Sequence, residues 1–240
     1  MNSMELFAGS CSFSKVAKEF GWNTFTVDWE QYGGIDYVTD ILKFDYNKIP
    51  SNIDVIWASP PCTTFSVASM GHHWTGGKNA YIPKTENAQI GLKILEKTLE
   101  IIERINPKYW VIENPRGMMR KMPQLNKYNC YRQTPWYCQY GDNRAKPTDI
   151  WTNVKWIAKS CKNNNPKCNH ERAPRGAKTG TQGLKGAYDR SIVPEKLCYD
   201  ICNCILNNKS SQQIRLVEDK EFWEWWDGLT DQQKEQEIGR

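Results

Sequence analysis

Cys62 is the residue of this chain best suited to covalent chemistry. It follows Pro60-Pro61, soon after the strand that we expect at 53–58. Proline fixes the backbone angle φ, so the two prolines hold the thiol in a rigid turn. A neighbouring base or helix N-terminus would favour the reactive thiolate there. The alternative is a small buried side chain, which is the commonest role of a free cysteine and the one that these three residues alone favour.

Glu113 is the second candidate for chemistry. Glu113-Asn114-Pro115 follows the apolar segment at 109–112, so we expect its carboxyl group at the end of a strand. A carboxyl group beside a reactive cysteine can keep or deliver a proton if burial raises its pKa. An ordinary loop salt bridge or a helix cap is the alternative.

The elements that must position these residues alternate along the first half of the chain. We expect strands at 3–7, 22–28, 53–58 and 109–112, and helices at 11–20 and 86–105, where apolar residues recur close to a helical period. This order predicts an α/β fold with a mostly parallel sheet covered on both faces. Ligands of such sheets bind at the carboxyl ends of the strands, where Gly9, Asp28, Cys62 and Glu113 all fall.

The second half of the chain is less regular. Short strands are expected at 128–140 and 149–156, a loop at 160–187 and a helix at 192–206. We divide the chain into a catalytic domain at 1–156, a short basic recognition segment at 157–189 and a small irregular C-terminal region at 190–240. This region combines a helix that returns to the catalytic domain with an acidic tail that contains Trp223, Trp225 and Trp226.

Composition and charge narrow the class of protein. The 240 residues are 39% apolar and 12% aromatic, which argues against disorder. No apolar stretch is long enough for a membrane span, and because the N-terminus lacks the basic, apolar and small-residue pattern of a signal peptide, we expect none. Nine irregularly spaced cysteines predict free, catalytic or metal-bound thiols in a reducing cytoplasm. Residues 155–190 hold nine Lys or Arg against two acids. Such a segment predicts a nucleic-acid partner, although solvated loops are often basic for solubility alone.

From Glu5 to about Leu206 the chain resembles the DNA (cytosine-5) methyltransferases, and five motifs within residues 5–114 follow the family's order. They are Glu5-Leu-Phe-Ala-Gly-Ser-Cys-Ser-Phe-Ser14, Asp28-Trp29, Asp40-Ile41, Pro60-Pro61-Cys62 with Phe65-Ser66, and Glu113-Asn114. In this family the first three bind S-adenosylmethionine, and the last two carry the nucleophile and its glutamate partner. The resemblance implies a Rossmann-like, S-adenosylmethionine-dependent methyltransferase fold.

The resemblance also assigns roles to single residues. The expected S-adenosylmethionine-binding residues are Phe7, Ala8, Gly9, Ser10, Asp28, Trp29, Asp40, Ile41, Pro60 and, on a loose match at 190–197, Ser191. The expected catalytic residues are Cys62, Glu113, Arg144 and Lys146. Cys62 would add to carbon 6 of a cytosine flipped out of double-stranded DNA, Glu113 would hold or protonate ring nitrogen 3, and carbon 5 would take the methyl group. The stretch at 66–85 matches the mobile loop that closes on the base, where His72 and His73 are either phosphate contacts or plain surface.

The chain departs from the family pattern at two places. The usual Gln-x-Arg-x-Arg motif is replaced at 140–149, where Arg144 and Lys146 take the first two positions and Thr148 the last. Only about 35 residues separate Trp156 from Ser191, where family enzymes with a defined target site carry a sizeable recognition region. Phosphate contacts give affinity and base contacts give specificity, so we expect relaxed or very short sequence recognition.

Two other functions remain open on the sequence alone. The catalytic residues do not read the sugar, so RNA could be the substrate. The altered motif at 144–148 could instead mark a nucleic-acid-binding module without turnover, although such a module needs neither Cys62 nor Glu113. Short family members of this kind resemble those of bacteriophages, where self-methylation evades restriction, and this resemblance implies a bacterial host's cytoplasm.

Three residues of the basic segment are candidate zinc ligands. Cys161, Cys168 and His170 fall within ten residues, with Cys138 or Cys130 as a fourth ligand. Their spacing matches no standard zinc finger, so the sequence favours loop residues without a metal. The remaining C-terminal cysteines are expected to pack in the core of the last helix rather than bind a metal; they are Cys198, Cys202 and Cys204.

Overall fold

Seven strands form one sheet in the part of the chain that the computed structural model describes, which is residues 1–76, 81–161, 168, 170 and 186–207. The strands are β1 (Asn2–Leu6), β2 (Asn23–Asp28), β3 (Tyr37–Val38), β4 (Val55–Ala58), β5 (Tyr109–Pro115), β6 (Arg132–Gln133) and β7 (Thr148–Thr152). The helices are α1 (Ser12–Glu19), α2 (Met70–His73), α3 (Glu86–Ile105), α4 (Ala187–Ser191) and α5 (Glu195–Asn207). Among the described ranges, every helix is too short or too polar to cross a lipid bilayer.

The strand order β3-β2-β1-β4-β5-β7-β6 places β1 beside both β2 and β4. These pairs are parallel, as are β2 with β3 and β4 with β5, whereas β7 is antiparallel to β5 and to β6. The prediction of an α/β fold with a mostly parallel, Rossmann-like sheet is therefore confirmed. The order reverses between β1 and β4, so the loops after these two strands diverge and leave the crevice in which such folds bind ligands.

Alternating side chains of the central strands pack into two separate hydrophobic cores, one on each face of the sheet. On β4, Val55 and Trp57 pack into a cluster that includes residues of α1 and α5, while Ile56 and Ala58 pack into a cluster with α3. The ring of Trp57 stacks on Phe13 of α1 with 4.9 Å between centroids. Side chains on both faces of β4 are therefore buried. This is why the strand segments of the sequence are continuously apolar rather than alternating between apolar and polar residues.

The long helix α3 has the bounds that the sequence predicts, and its ends show why. Thr85 accepts a hydrogen bond from the backbone of Ala88 at the first turn, and Asn106 ends the helix in the left-handed conformation at φ 50. Hydroxyl caps and left-handed asparagine are common at helix N- and C-termini respectively. Cys198 and Cys202 are buried in the core under α5, as expected, while Cys204 is half-buried.

Two predictions about the chain beyond α3 are wrong in detail. Glu113 does not follow β5 but lies within it, because antiparallel pairing with β7 extends the strand to Pro115. The predicted strands at 128–140 are mostly 3-10 helix, at Pro123–Tyr131 and Tyr137–Tyr140. Tyr128 and Tyr131 pack edge-on against Trp110, so the aromatic pattern reports this tertiary contact rather than a strand. Most of the basic segment and the whole aromatic tail lie outside the described residues.

A buried ion pair holds β7 to the segment that follows β5, and its removal should cost far more stability than removal of an exposed pair. The guanidinium of Arg120 binds Asp149, whose side chain is 1% exposed, with 2.8 Å from Nε to Oδ2. Arg120→Met leaves this carboxylate buried without its cation and should lower the free energy of unfolding by roughly 3 kcal/mol. Urea denaturation measures the change.

The matched control for this prediction is Lys127→Met. It removes a pair with Glu103 in which both side chains are more than half exposed, and such pairs contribute less than about 1 kcal/mol. Equal losses of stability in the two variants would contradict the argument from burial.

Candidate active site

The loop after β1 is held in an unusual backbone path. Phe7, Gly9 and Cys11 have positive φ values of 59, 45 and 53, so the chain turns sharply before α1 begins. Two amides of the first turn of α1, those of Phe13 and Ser14, donate to the carboxylate of Glu5 at 3.2 and 2.8 Å. Burial raises the pKa of Glu5 to about 7. The loop therefore lies on a helix N-terminus that is fixed by an acid from β1.

Asp28 at the end of β2 ties this loop to the neighbouring strand. Its Oδ2 accepts a hydrogen bond from the Gly9 amide at 2.9 Å, and its Oδ1 accepts one from the Trp29 amide at 2.8 Å. Asp28 itself is buried, whereas the Trp29 side chain is 75% exposed. An exposed indole at the carboxyl edge of a parallel sheet offers a flat apolar face on which an aromatic ligand can stack.

The other residues assigned to the cofactor also lie at this edge. Asp40 follows β3 and accepts from the Leu42 amide at 3.0 Å, while the side chain of Ile41 packs into the core. Pro60 follows β4. Ser191, matched only loosely in the sequence, comes close to Gly9, since a Cβ atom on Gly9 would lie 3.9 Å from the Ser191 hydroxyl oxygen. The structure thus brings the assigned residues to one edge of the sheet.

Cys62 stands at the start of a tight turn after β4. Its carbonyl oxygen accepts hydrogen bonds from the amides of Phe65 and Ser66 at 3.0 and 2.9 Å, and the residue is half-buried. Asn114 on β5 donates from its side chain to the Pro60 carbonyl at 2.8 Å, in a buried contact. This bond fixes the turn that carries Cys62 against the strand that carries Glu113.

Gly117 fixes the same turn from its other end. The Met118 amide donates to the Phe65 carbonyl at 2.7 Å, and a Cβ atom on Gly117 would lie 2.3 Å from that carbonyl oxygen. No side chain fits at such a separation, so glycine is required here by close approach and not by its backbone angles.

Glu113 has a buried partner that the sequence analysis missed. The Tyr137 hydroxyl donates to Glu113 Oε1 at 2.9 Å, and both side chains are buried. Burial and the neighbouring carboxylate raise the pKa of Tyr137 well above its usual range, so the phenol stays a donor. In the sequence, Tyr137 differs from other aromatic residues only by standing shortly before the altered basic motif. Aromatic residues are frequent throughout this chain, so this position alone does not indicate a role.

Lys146 joins this buried group. Its ammonium nitrogen lies 4.6 Å from the centre of the Tyr137 ring and donates to the Arg190 carbonyl at 3.0 Å. Burial lowers the pKa of Lys146, while the charges of Glu113 and Cys62 raise it. Burial raises the pKa of the Cys62 thiol, which Lys146 in turn lowers and Glu113 raises. The four side chains therefore act on one another electrostatically.

Arg144 binds the backbone of the segment that carries Ser191. Its guanidinium pairs with Asp142 and donates to the carbonyls of Asp189 and Ile192 at 3.3 and 3.1 Å. These bonds, with that of Lys146 to Arg190, fasten the segment that carries Ser191. Its expected catalytic role thus stays a prediction, while its observed contacts are those of a positioning residue. Thr148 is buried on β7, opposite Pro115.

The loop after Cys62 is partly ordered by its aromatic residues. Trp74 is buried, stacks on Phe65 with 5.3 Å between centroids and donates to the Thr64 carbonyl at 2.8 Å. His73 is also buried and shares a 2.7 Å hydrogen bond with Thr85, so in this conformation it does not present its ring to a phosphate. His72 is exposed. Residues 77–80 lie outside the described ranges.

Comparison with known proteins decides the family. The family model for C-5 cytosine-specific DNA methylases matches residues 2–133. A protein of Frog virus 3 (isolate Goorha), named "Probable DNA (cytosine-5)-methyltransferase", is 32% identical over 223 residues, covering 84% of this chain and 100% of the viral protein. The chain belongs to the C-5 cytosine-specific DNA methylase family. The resemblance found in the sequence is confirmed.

Two solved structures show weaker similarity. One is a mutant DNMT2 of Spodoptera frugiperda, with a TM-score of 0.39, 18% identity, and coverage of 72% of this chain and 57% of that chain. The other is a type I restriction-modification methyltransferase subunit of Streptococcus thermophilus, with a TM-score of 0.37, 16% identity, and coverage of 68% and 40%.

The cofactor of this C-5 cytosine methylase is S-adenosylmethionine, and the residues at the carboxyl edge fit it. The left-handed loop at Phe7–Cys11, the buried Asp28 and the exposed Trp29 provide backbone amides, an acid and an aromatic face within one crevice. Trp29 suits the adenine ring of such a cofactor. Ser191 would close the crevice beside Gly9.

We predict how the pH dependence of Cys62 alkylation responds to its two charged neighbours. Iodoacetamide reacts with the thiolate, so the rate at Cys62 follows its raised pKa. Lys146→Met removes a cation that lowers this pKa and should slow the reaction at pH 8. Glu113→Gln removes a charge that raises it and should accelerate the reaction. Peptide mass spectrometry separates Cys62 from the other cysteines, with exposed Cys130 as the internal reference. Unchanged rates at Cys62 in both variants would contradict the described geometry.

Gly117→Ala should displace the turn that carries Cys62. The added Cβ would overlap the Phe65 carbonyl, and small displacements of reacting groups cost rates of about tenfold to a hundredfold. We expect methyl transfer to fall by at least about tenfold, with a loss of about 1–3 kcal/mol in stability from overpacking. Gly33→Ala is the control, since a Cβ there meets nothing within 4 Å. Full activity of Gly117→Ala would show that the turn tolerates movement.

Proposed function

We propose that this chain methylates carbon 5 of cytosine in double-stranded DNA, through a covalent adduct on Cys62 and with short or relaxed target specificity. The observation that supports this most directly is the buried hydrogen bond from Asn114 to the Pro60 carbonyl. It joins the turn of a potential nucleophile to the strand of a potential acid. A cysteine and a glutamate held together in this way serve addition to an activated ring better than they serve binding alone.

The reaction begins at Cys62. Its sulfur adds to carbon 6 of cytosine, and the electron pair of the 5,6 double bond moves toward carbon 5, which becomes nucleophilic. Carbon 5 takes the electrophilic methyl group that S-adenosylmethionine supplies, and the bond from this methyl group to the sulfonium sulfur breaks, so that S-adenosylhomocysteine leaves. Loss of the proton on carbon 5 and expulsion of the Cys62 sulfur restore the aromatic ring. The covalent step makes an unactivated ring carbon reactive, and Lys146 favours the thiolate that starts it.

Glu113 acts at the opposite edge of the ring. In this assignment Oε2 contacts ring nitrogen 3, and Oε1 stays bound to Tyr137. A hydrogen bond or proton at nitrogen 3 draws electron density from carbon 6, so the sulfur adds more readily. Tyr137 is a positioning residue, because it holds the carboxyl plane but does not reach the base.

The substrate has to deliver an unstacked base to this buried group. Base stacking in a duplex shields carbon 6 of cytosine. The base must therefore be flipped into the site, at a cost of a few kcal/mol. Val67 and Met70 in the loop after Cys62 are exposed apolar side chains, of the type that can fill a vacated position in a base stack. The basic segment at 157–189 supplies charge for phosphate contacts, and its shortness supports limited reading of base edges.

The experiment is transfer of a labelled methyl group from S-adenosylmethionine to mixed-sequence duplex DNA. Label is expected in 5-methylcytosine, to vanish in Cys62→Ala and to persist in Cys130→Ala. Bisulfite sequencing then reads the target, and methylation in many contexts is the expected outcome. A duplex with 5-fluorocytosine should give a stable adduct on Cys62, because no proton can leave carbon 5. Transfer to RNA alone, or DNA binding without an adduct, would overturn the proposal.

Tyr137→Phe tests the arrangement around Glu113. Loss of the hydroxyl frees Oε1 without leaving a cavity, so we expect kcat to fall by about tenfold or more, as for loss of an oriented hydrogen bond, with little change in KM for DNA. Tyr109→Phe, a second buried tyrosine on β5, is the control. A KM effect with unchanged kcat would assign Tyr137 to DNA binding instead.

A further inference from the structure

Four sulfur and nitrogen atoms converge on the side of the catalytic domain where the basic segment begins. They belong to Cys138, Cys161, Cys168 and His170, and all lie within 4.8 Å of one another. The sequence left the fourth ligand open between Cys138 and Cys130. Cys138 is the one that reaches the cluster, whereas Cys130 is exposed and its sulfur contacts the Lys127 carbonyl.

We propose that these four residues bind one zinc ion as a structural Cys3His site. Zinc bonds of about 2.3 Å to sulfur and about 2.0 Å to nitrogen, at tetrahedral angles, separate two sulfurs by about 3.8 Å and a sulfur from a nitrogen by about 3.5 Å. His170 Nδ1 lies 3.1 Å from the Cys168 sulfur and 3.7 Å from the Cys161 sulfur. These two separations differ from the tetrahedral value by about 0.4 and 0.2 Å, and the 4.8 Å limit of the whole cluster exceeds the sulfur–sulfur value by about 1 Å, so binding of the ion requires only a small contraction of the four side chains.

The donor set selects the metal. Thiolates and imidazole in a four-coordinate arrangement are the ligands of structural zinc, whereas calcium and magnesium require oxygen. Four protein ligands also leave no open position for a substrate, so the site is structural rather than catalytic. The amide of Gln139 donates toward the sulfurs of Cys168 and Cys138, at 3.3 and 3.9 Å, as neighbours of zinc thiolates commonly do.

Two of the ligands are placed without the help of a metal. The Trp136 amide donates to the Lys159 carbonyl at 3.1 Å, and the Lys159 amide donates to the Tyr140 hydroxyl at 2.9 Å. These bonds hold the segment before Cys161 against the 3-10 helix that contains Cys138. Half of the site is therefore preorganised on the catalytic domain, and zinc would fasten Cys168 and His170 of the basic segment to it.

The position of Cys138 connects the ion to the active site. Cys138 directly follows Tyr137, whose hydroxyl binds Glu113. Zinc would thus hold the helix that presents Tyr137 and, from the same point, the start of the segment that we assign to DNA. This role extends beyond the reaction itself, since the metal contacts neither the base nor the methyl group.

The test is the metal content of the full-length chain, purified without chelators. Plasma mass spectrometry should find about one zinc per chain. Cys138→Ser and Cys168→Ser should each lose most of it, while Cys130→Ser and Cys204→Ser, which alter cysteines outside the cluster, should keep it. Less than about one tenth of an equivalent of zinc in the wild-type chain, or unchanged zinc in both ligand variants, would overturn the proposal.

A second measurement covers ligand variants that fail to fold. Cobalt added to chelator-treated wild-type chain should give the intense visible bands of a tetrahedral thiolate site, and zinc should abolish them. Hydrogen exchange of the amides at 156–161 should accelerate when the metal is removed and slow again when it is restored. A disulfide between two of the cluster cysteines in freshly purified chain, with no cobalt spectrum after reduction, would identify a redox pair and exclude zinc.

Discussion

β5 pairs antiparallel with β7 from Val111 to Pro115, and the groups that we propose to be catalytic are arranged around this pairing. Without a partner strand, the polar residues after Ile112 would have no backbone bonds to make within the sheet. Paired with β7, they continue as strand, so Glu113 is buried and the amide of Asn114 reaches the turn of the nucleophile. The same pairing places Lys146, just before β7, beside the acid.

The cofactor crevice and the catalytic group are linked through the altered basic motif. Arg144 and Lys146 donate to the backbone carbonyls of 189–192, which bring Ser191 to the loop at Gly9. These contacts join parts of the chain more than forty residues apart in sequence. A change at either cation would therefore disturb the wall of the cofactor crevice as well as the reacting groups. We infer that this motif serves both halves of the site.

The pKa of Cys62, the proposed nucleophile, is set by opposing effects. Burial raises the pKa of the Cys62 thiol, and Glu113 adds to that rise, while Lys146 opposes it. The thiolate is the reactive form, so Lys146 favours reactivity at Cys62, while burial and Glu113 oppose it. In a buried site of low polarity, the electrostatic interaction between two charges is stronger than it would be in water. Tyr137, kept as a donor by its raised pKa, fixes the position of the Glu113 carboxyl group.

The sequence by itself determined the order of β1, α1, β2, β4, α3 and β5, the mostly parallel sheet, the family, and the place of Cys62 and of the residues expected to bind the cofactor near the carboxyl ends of the strands. Apolar runs and short motifs are local, so they can be read without knowing the fold. Only the tertiary structure decided that β5 extends through Glu113, that Tyr137 binds it, and that Cys138 rather than Cys130 joins Cys161. Each of these depends on which distant segments pack together. Strand pairing and side-chain convergence are set by the burial of the whole core, which no local pattern contains.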